Sequence, residues 1–327
     1  MEDLARDSGI TPRATIIILT YNQEHTIRRA IESVLRQECR FPYEILIADD
    51  ASTDGTRRIC EEYASRYPRL IRLMPEAPNK GLVGNYFDAV ATARGEYIGD
   101  CAGDDEWLGR MRLQMAIEVL DRETDVSVVF TDVEVVTPTG RQLRSADPRT
   151  SRWYASARHS GRVVLESVLN HTDSIPYILS SALYRRSAVI SPQWPSGAPP
   201  YDFYSGNVED LPVIAACALA GDAVMISERG YRYYADGVSI SNNLSHEKEY
   251  RFLAPVTSLM RRLGKACGYT PETQMRFFRA KFPYMAAQIR HSGLGKELRT
   301  DFRNRLREWG LPLPLRGKAH LWLSYFK

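Results

Sequence analysis

The 327-residue chain has few cysteines, no long apolar run, and no glycine turn of the kind that cradles a phosphate. Its five cysteines (Cys39, Cys60, Cys101, Cys217 and Cys267) are odd in number and scattered, with no Cys-x-x-Cys pair. A disulfide framework and a structural zinc site both need paired or clustered thiols, so neither organises this chain, and a reducing compartment is expected. Apolar runs such as TIIIL and AVMI have the length of buried strands, far below the ~18 residues of a membrane span. The opening MEDLARDSGITPR is polar and acidic, unlike the apolar centre of a signal peptide, which points to the cytoplasm.

What is present is ordinary in amount and unusual in distribution. Hydrophobic residues make up 44% and charged residues 25%, the mixture of a globular protein of one large domain or one and a half. The net charge of +3 hides an asymmetry: from Ser245 onward 17 basic residues face 6 acidic ones, which leaves the rest of the chain at −8. An acidic body with a basic tail suggests two tasks.

Up to about residue 136, strand and helix patterns alternate. ATIIILT (14–20), YEILIA (43–48), LIRLM (70–74), GEYIGD (95–100) and VSVVFTDVEVV (126–136) are apolar, β-branched segments of strand length. Between them, residues 24–37, the stretch from Asp54 to Arg66, GLVGNYFDAVATA (81–93) and residues 110–121 keep helical spacing. This alternation predicts a doubly wound, mostly parallel α/β sheet, with ligands beyond the carboxyl ends of its strands. Residues 140–205 are rich in Arg, Ser, Pro and Tyr, and PQWPSGAPPYDFYSG (192–206) reads as loop. Helical pattern returns at VEDLPVIAACALAG (208–221), followed by a strand at AVMIS and then GYRYYADG.

The polar clusters fall at the predicted strand ends: TYNQEH, DDAS, PNKG and DCAGDDEW. A dinucleotide fold needs G-x-G-x-x-G directly after a strand, so that backbone amides reach the pyrophosphate. Here TYNQEH stands in that place, and G-x-x-x-x-G-K-[ST] is also missing, so the dehydrogenase and P-loop readings both fail. Without a glycine cradle, phosphate charge must be met by a cation. GDCAGDDEW gathers Asp100, Asp104 and Asp105 with no basic residue among them. Hard carboxylate oxygens suit Mg²⁺ or Mn²⁺, which typically take one or two carboxylates together with a substrate's phosphates. An Asp pair on a loop is more commonly a solvated turn or a helix cap; the second acidic turn, ADDAS, raises the functional reading above that alternative.

The ordered segments ATIIILTYNQEHTIRRAIESVLRQ, YEILIADDASTDGT, NKGLVGNYFDAVATARGEYI, GDDEWLGRMRLQ and GNVEDLPVIAACALAG resemble the family-2 nucleotide-sugar glycosyltransferases of the GT-A fold, over residues 13–235. The likeness is strongest to members that build bacterial surface polysaccharides. It implies a GT-A domain over 13–246, with a nucleotide-binding half (13–136) and an acceptor-binding half (137–246). A flexible N-terminus (1–12) and a basic helical extension (247–327) would flank it. It implies inverting transfer of a sugar from a nucleoside-diphosphate donor to an acceptor hydroxyl on a glycan or lipid-linked molecule, with Mn²⁺ or Mg²⁺. By the same resemblance, Thr20, Tyr21, Asn22, Glu24, Asp50, Asn79, Lys80 and Asp104 contact the donor. Asp105 with Asp104 would hold the metal, and Trp107 would wall the sugar or acceptor site, although an aromatic at a helix start is at least as often part of the core. Asp49, Ser52 and Asp54 are explained by turn chemistry alone. Asp210 is the implied general base and Glu209 the fallback; a helix N-terminal acid favoured by the macrodipole is the structural alternative for both.

Two positions depart from the family pattern. Ala102 stands where many relatives carry an acid, so the metal is expected to be weakly held without donor. Tyr234 stands where a His is common, with His246 further on, more plausibly a surface residue than a ligand. A protein that kept the fold but only binds nucleotide sugars is therefore the rival reading. The tail segments RFFRAKFPYMAAQIR, FRNRLREWG and LRGKAHLWLSYFK interleave basic and aromatic residues. Nucleic acid, a partner helix and an anionic membrane surface compete as their target. Nothing in the catalytic half calls for nucleic acid, and contact with the inner face of the cell membrane is favoured over a plain helical cap.

Overall fold

The computed structural model of the protein describes residues 11–142, 157–170, 179–195, 208–235, 245–278 and 295–308, together with 285, 287–289 and 291. ATIIILT forms β1 (Ala14–Thr20), which lies between β2 (Tyr43–Asp49) and β4 (Tyr97–Ala102) and runs parallel to both. A strand paired on both edges and covered on both faces has no wet side, which is why its residues are apolar without alternation. β3 (Ile71–Leu73) extends the parallel part beyond β2.

On the other side of β4 the sheet departs from the parallel pattern. β8 (Ala182–Arg185) pairs antiparallel with both β4 and β6 (Val126–Val136), and β9 (Asp222–Tyr234) runs parallel to β6. Two-residue strands β5 (Glu106–Trp107) and β7 (Arg158–His159) pair antiparallel with β9. The order is β3-β2-β1-β4-β8-β6-β9-β5, with β7 joined to β9 off that path. The AVMIS and GYRYY segments are thus parts of one continuous strand.

Odd-numbered residues of β1 and β2 face away from even-numbered ones, and each face takes its own helices. Ile16, Ile18, Ile45 and Ile47 pack with apolar residues of α1 (Ile27–Leu35), α2 (Thr56–Arg66) and α4 (Arg112–Arg122). The opposite face is covered by α3 (Gly81–Thr92), α6 (Arg186–Ile190) and α7 (Asp210–Ala220). One further helix, α5 (Gly161–Asn170), follows β7.

The chain divides into two compact units, the first comprising residues 1–168, 172–193 and 208–235. The second comprises 169–171, 194–207 and 236–327, and contains α8 (His246–Ala266), α9 (Pro271–Phe278) and α10 (Gly295–Glu308). Within it, Leu259, Met260 and Leu263 of α8 and Leu298, Phe302 and Leu306 of α10 are buried. Tyr250 donates a 2.7 Å hydrogen bond to Asp301, and Arg251 pairs with Glu297 at 2.7 Å. His246 is exposed and hydrogen-bonds Gln288 at 2.6 Å. Most of RFFRAKFPYMAAQIR and all of LRGKAHLWLSYFK lie outside the described residues. No helix among the described residues is long and apolar enough to cross a membrane.

One buried cation ties the antiparallel part of the first unit together. Arg112, at the start of α4, donates to the carbonyls of Gly230 and Ser180, each at 2.7 Å, and its guanidinium lies 3.8 Å over the ring of Trp107. Burial pushes its pKa down to about 9. Arg112→Met keeps the stem against Trp107 but removes the donor to the Ser180 carbonyl, while the Gly230 carbonyl keeps its bond from Leu108 N–H at 2.9 Å. It is expected to lower unfolding stability by about 1–3 kcal/mol, read as a fall in the urea midpoint at unchanged slope; an unchanged midpoint would show that the Ser180 carbonyl finds another donor.

Candidate active site

The carboxyl ends of β1 and β2 feed loops that bond to each other. Asn22 N–H donates to Ser52 Oγ (2.9 Å), and Asn22 Oδ1 accepts from Thr53 N–H (2.8 Å). Gln23 N–H donates to Thr56 Oγ1 (2.7 Å), Glu24 N–H to Asp54 Oδ2 (3.2 Å), and Gly55 N–H to Glu24 Oε2 (2.8 Å). Asn22 and Ala51 both sit in the left-handed region, at φ 53° and 61°. For alanine that conformation costs about 1–2 kcal/mol, and the cross-loop bonds hold it in place. Asn22 and Glu24 therefore bond the neighbouring turn, while the Tyr21 side of the loop stays open, with that residue 49% exposed.

In the second turn Asp49 accepts from the Ser52 hydroxyl and backbone N–H, an arrangement of pure turn chemistry. Asp50 Oδ1 accepts from Lys80 N–H at 2.8 Å, and its carbonyl accepts from the Asn79 side-chain amide at 2.8 Å. Asp50, Asn79 and Lys80, separated in sequence, thus meet at one point. The Lys80 ammonium is drawn aside into an ion pair with Asp88 of α3.

Between β1 and the end of β4, Thr20 Oγ1 and Gln23 Oε1 are both buried, without a hydrogen-bond partner among the described residues. Both press on Gly103, where a Cβ would collide with the Gln23 side chain and lie 2.9 Å from Thr20 Oγ1. Only glycine lets the acidic turn approach the first loop this closely. Gln23 lies within TYNQEH and passed unnoticed beside its more conspicuous neighbours.

The acidic turn is anchored to β9. Asp105 is 3% exposed; one of its oxygens accepts from the Tyr231 hydroxyl and the other from Tyr234 N–H at 2.9 Å. Arg29 of α1 donates to the Asp104 carbonyl, and its guanidinium lies 3.7 Å over the Tyr234 ring. Glu106 is engaged by Arg36 (2.9 Å), Arg232 (3.1 Å) and the Tyr234 hydroxyl (3.2 Å). Trp107 requires a correction. It is 2% exposed, its indole N–H donates to the Asp100 carbonyl at 2.8 Å, and Arg112 covers its ring, so it is a core residue and walls no open site.

Among the described residues no group of three or more His, Cys, Asp or Glu side chains converges on a point that could hold a metal. Two adjacent carboxylates at a strand end still match the donor set of Mg²⁺ or Mn²⁺ when a substrate's phosphates and water supply the rest. Asp104 is the more accessible donor of the pair; Asp105, buried with both oxygens already accepting hydrogen bonds, would reach an ion only through its remaining lone pairs.

Glu209 and Asp210 begin α7, whose first turn lies at the carboxyl edge because the helix leads back into β9, parallel to β6. Asp210 Oδ1 accepts from Leu211 N–H at 2.8 Å, the bond of an acid at a helix start. Burial holds both acids above the ordinary carboxylate range, and for Glu209 the charge of Asp210 adds to it. Behind them Asp100, only 4% exposed on β4, has neither carboxylate oxygen hydrogen-bonded among the described residues. Burial, and then the charge of Glu209, raises its pKa well above the ordinary carboxylate range, against a smaller lowering by Arg112. The hydroxyls of Tyr86 and Tyr184 bond each other in the same buried region.

Residues 15–190 match the model of the family described as "Glycosyl transferase family 2". An uncharacterized protein of Mycobacterium tuberculosis is 34% identical over 228 residues, which is 68% of this chain and 60% of that protein. The chain thus spans about three-fifths of the length of the first curated relatives it matches. The UDP-Glc:alpha-D-GlcNAc-diphosphoundecaprenol beta-1,3-glucosyltransferase WfgD of Escherichia coli is 29% identical over 52% of this chain and 66% of its own. Among solved structures, the mannosyltransferase PcManGT from Pyrobaculum calidifontis, in complex with GDP-Man and Mn²⁺, has a TM-score of 0.55 at 18% identity, over 89% of this chain and 78% of that one. At that identity the likeness concerns the fold, which is the mostly parallel GT-A arrangement expected from the sequence.

The raised acids give stability a pH dependence with a definite sign. A carboxyl whose pKa is higher folded than unfolded stabilises the fold while protonated, and that contribution is lost as pH rises through the folded value. Glu209→Gln keeps the shape without the charge. Its melting temperature should gain on wild type between pH 5 and pH 8.5, by the equivalent of about 1 kcal/mol or more. A gap that does not change with pH would mean that Glu209 titrates normally.

Proposed function

The chain belongs to glycosyl transferase family 2, and from that membership we propose that it is an inverting, metal-dependent transferase of bacterial glycan or polysaccharide synthesis. It would move a sugar from a nucleoside-diphosphate donor to an acceptor hydroxyl. The observation that carries the proposal is the placement of two acid pairs at the carboxyl edge, one on a β4 turn beside the nucleotide loops and one at the start of α7, with burial raising Asp105, Glu209 and Asp210 alike.

In this reading the open face of Tyr21 takes the nucleoside, flanked by Thr20, Asn22 and Glu24. Asp50, held by Asn79 and Lys80, presents its free carboxylate oxygen to the base or ribose. Asp104 and Asp105 would hold Mn²⁺ or Mg²⁺, which when bound offsets charge on the leaving diphosphate. Asp210 accepts the acceptor's proton as the bond to the anomeric carbon forms, its basicity raised by burial. An acid raised toward neutrality is a stronger base than an ordinary carboxylate and remains mostly ionised above its pKa. WfgD's name specifies a diphosphoundecaprenol-linked acceptor; a lipid-linked or glycan acceptor is proposed here as well, with the basic C-terminal unit touching the anionic inner face of the membrane. The rival, a nucleotide-sugar-binding protein without turnover, is disfavoured by the raised acids, which binding alone does not require.

Asp210→Asn should leave nucleotide affinity nearly unchanged and lower turnover by roughly a hundredfold or more, the usual scale for losing a general base. Glu209→Gln should cost less. Steady-state kinetics with donor affinity measured separately decide the matter: a dead Glu209→Gln beside an active Asp210→Asn would move the role to Glu209. Normal turnover in both would end the carboxylate-base mechanism.

A further inference from the structure

The acidic turn already carries a cation. Arg29 is held from two directions, by its bond to the Asp104 carbonyl and by the Tyr234 ring 3.7 Å beneath its guanidinium. That ring is itself fixed, since Tyr234 N–H binds Asp105 and its hydroxyl binds Glu106. Arg29 Nε is shielded from solvent, with no acceptor among the described residues, and no carboxylate there forms an ion pair with this side chain. The neighbouring arginines differ: Arg28 pairs with Glu62 at 2.8 Å and Arg36 with Glu106 at 2.9 Å. The guanidinium is therefore a fixed positive charge at the acidic turn, acting on the Asp105 carboxylate without a salt bridge to it.

We propose that Arg29 makes metal and donor bind as one unit. The inference rests on the donor and metal reading above and adds a residue and a control to it. A fixed guanidinium repels a divalent ion placed at Asp104 and Asp105, so the empty site holds metal poorly. The same charge attracts a diphosphate, so nucleotide alone keeps some affinity. When both arrive, the diphosphate's negative charge offsets Arg29 and completes the coordination that two carboxylates leave open. Premature loading of the metal is thereby suppressed. The Ala102 departure from the family's acidic motif acts in the same direction, by removing a ligand, whereas Arg29 acts through charge.

The two effects have opposite signs, which separates them from simple damage to the turn. Mn²⁺ alone would be titrated by its EPR signal, and UDP and GDP alone by calorimetry in EDTA, for wild type, Arg29→Gln and Arg29→Lys. Arg29→Gln should bind Mn²⁺ at least about tenfold more tightly and the better of the two nucleotides several-fold more weakly, while Arg29→Lys stays near wild type in both. If Arg29→Gln weakens both ligands, or leaves Mn²⁺ binding unchanged, the inference is overturned. If wild type binds neither nucleotide even with Mn²⁺ present, the donor reading itself fails and this inference falls with it.

Discussion

Buried negative charge gathered at the carboxyl edge of a covered sheet is the constraint on which the site depends. Asp49, Asp50, Asp100, Asp105, Glu209 and Asp210 all lie at or near the carboxyl ends of strands, each at least partly withdrawn from water. A buried carboxylate must gain hydrogen bonds, gain a cation or take up a proton. Each of these acids meets that demand differently, and the difference sorts their roles.

Asp49 takes the donors of its own turn, Asp50 takes a backbone amide brought from the start of α3, and Asp105 takes a hydroxyl and an amide from β9. These bonds stitch loops distant in sequence into one rim, and they explain why the first and second loops keep strained backbone at Asn22 and Ala51. Glu209 and Asp210 have no such set of donors and carry raised pKa values, and Asp105 is raised as well, to about 7, by burial and by the charge of Asp104 despite its two donors. Asp100, deeper still, is raised well above the ordinary range, first by burial and then by the charge of Glu209. The edge thus combines acids tied into loop and strand hydrogen bonds at β1, β2 and the β4 turn with a less anchored pair at α7.

Much of this was legible in the sequence because burial on both faces forces a composition. β1 occupies the predicted ATIIILT and β6 the predicted VSVVFTDVEVV, residue for residue. By contrast, β8 is four ordinary residues in an Arg- and Ser-rich stretch, ordered only by its partners β4 and β6, and no local period announces it. β5 was hidden in the same way, so Trp107 was read as a wall at a helix start when it is buried under Arg112. The site divides along the same line. Strand-end acids are visible as letters, whereas Gln23 and Arg29 matter through neighbours supplied by the fold. In the sequence Arg29 is one of two consecutive arginines on a helix; in space one of them pairs with Glu62 and the other lies on Tyr234 beside Asp104.

The central claim is that the acids of the β4 turn hold a divalent ion together with a nucleoside diphosphate. Crystals grown with Mn²⁺ and UDP or GDP, measured at a wavelength where manganese scatters anomalously, test it most directly. The account predicts a single strong anomalous peak at the Asp104 and Asp105 carboxylates, shared with the diphosphate and with the nucleoside against the Tyr21 loop. A nucleotide bound elsewhere, or bound there with no metal at the acidic turn, would contradict it.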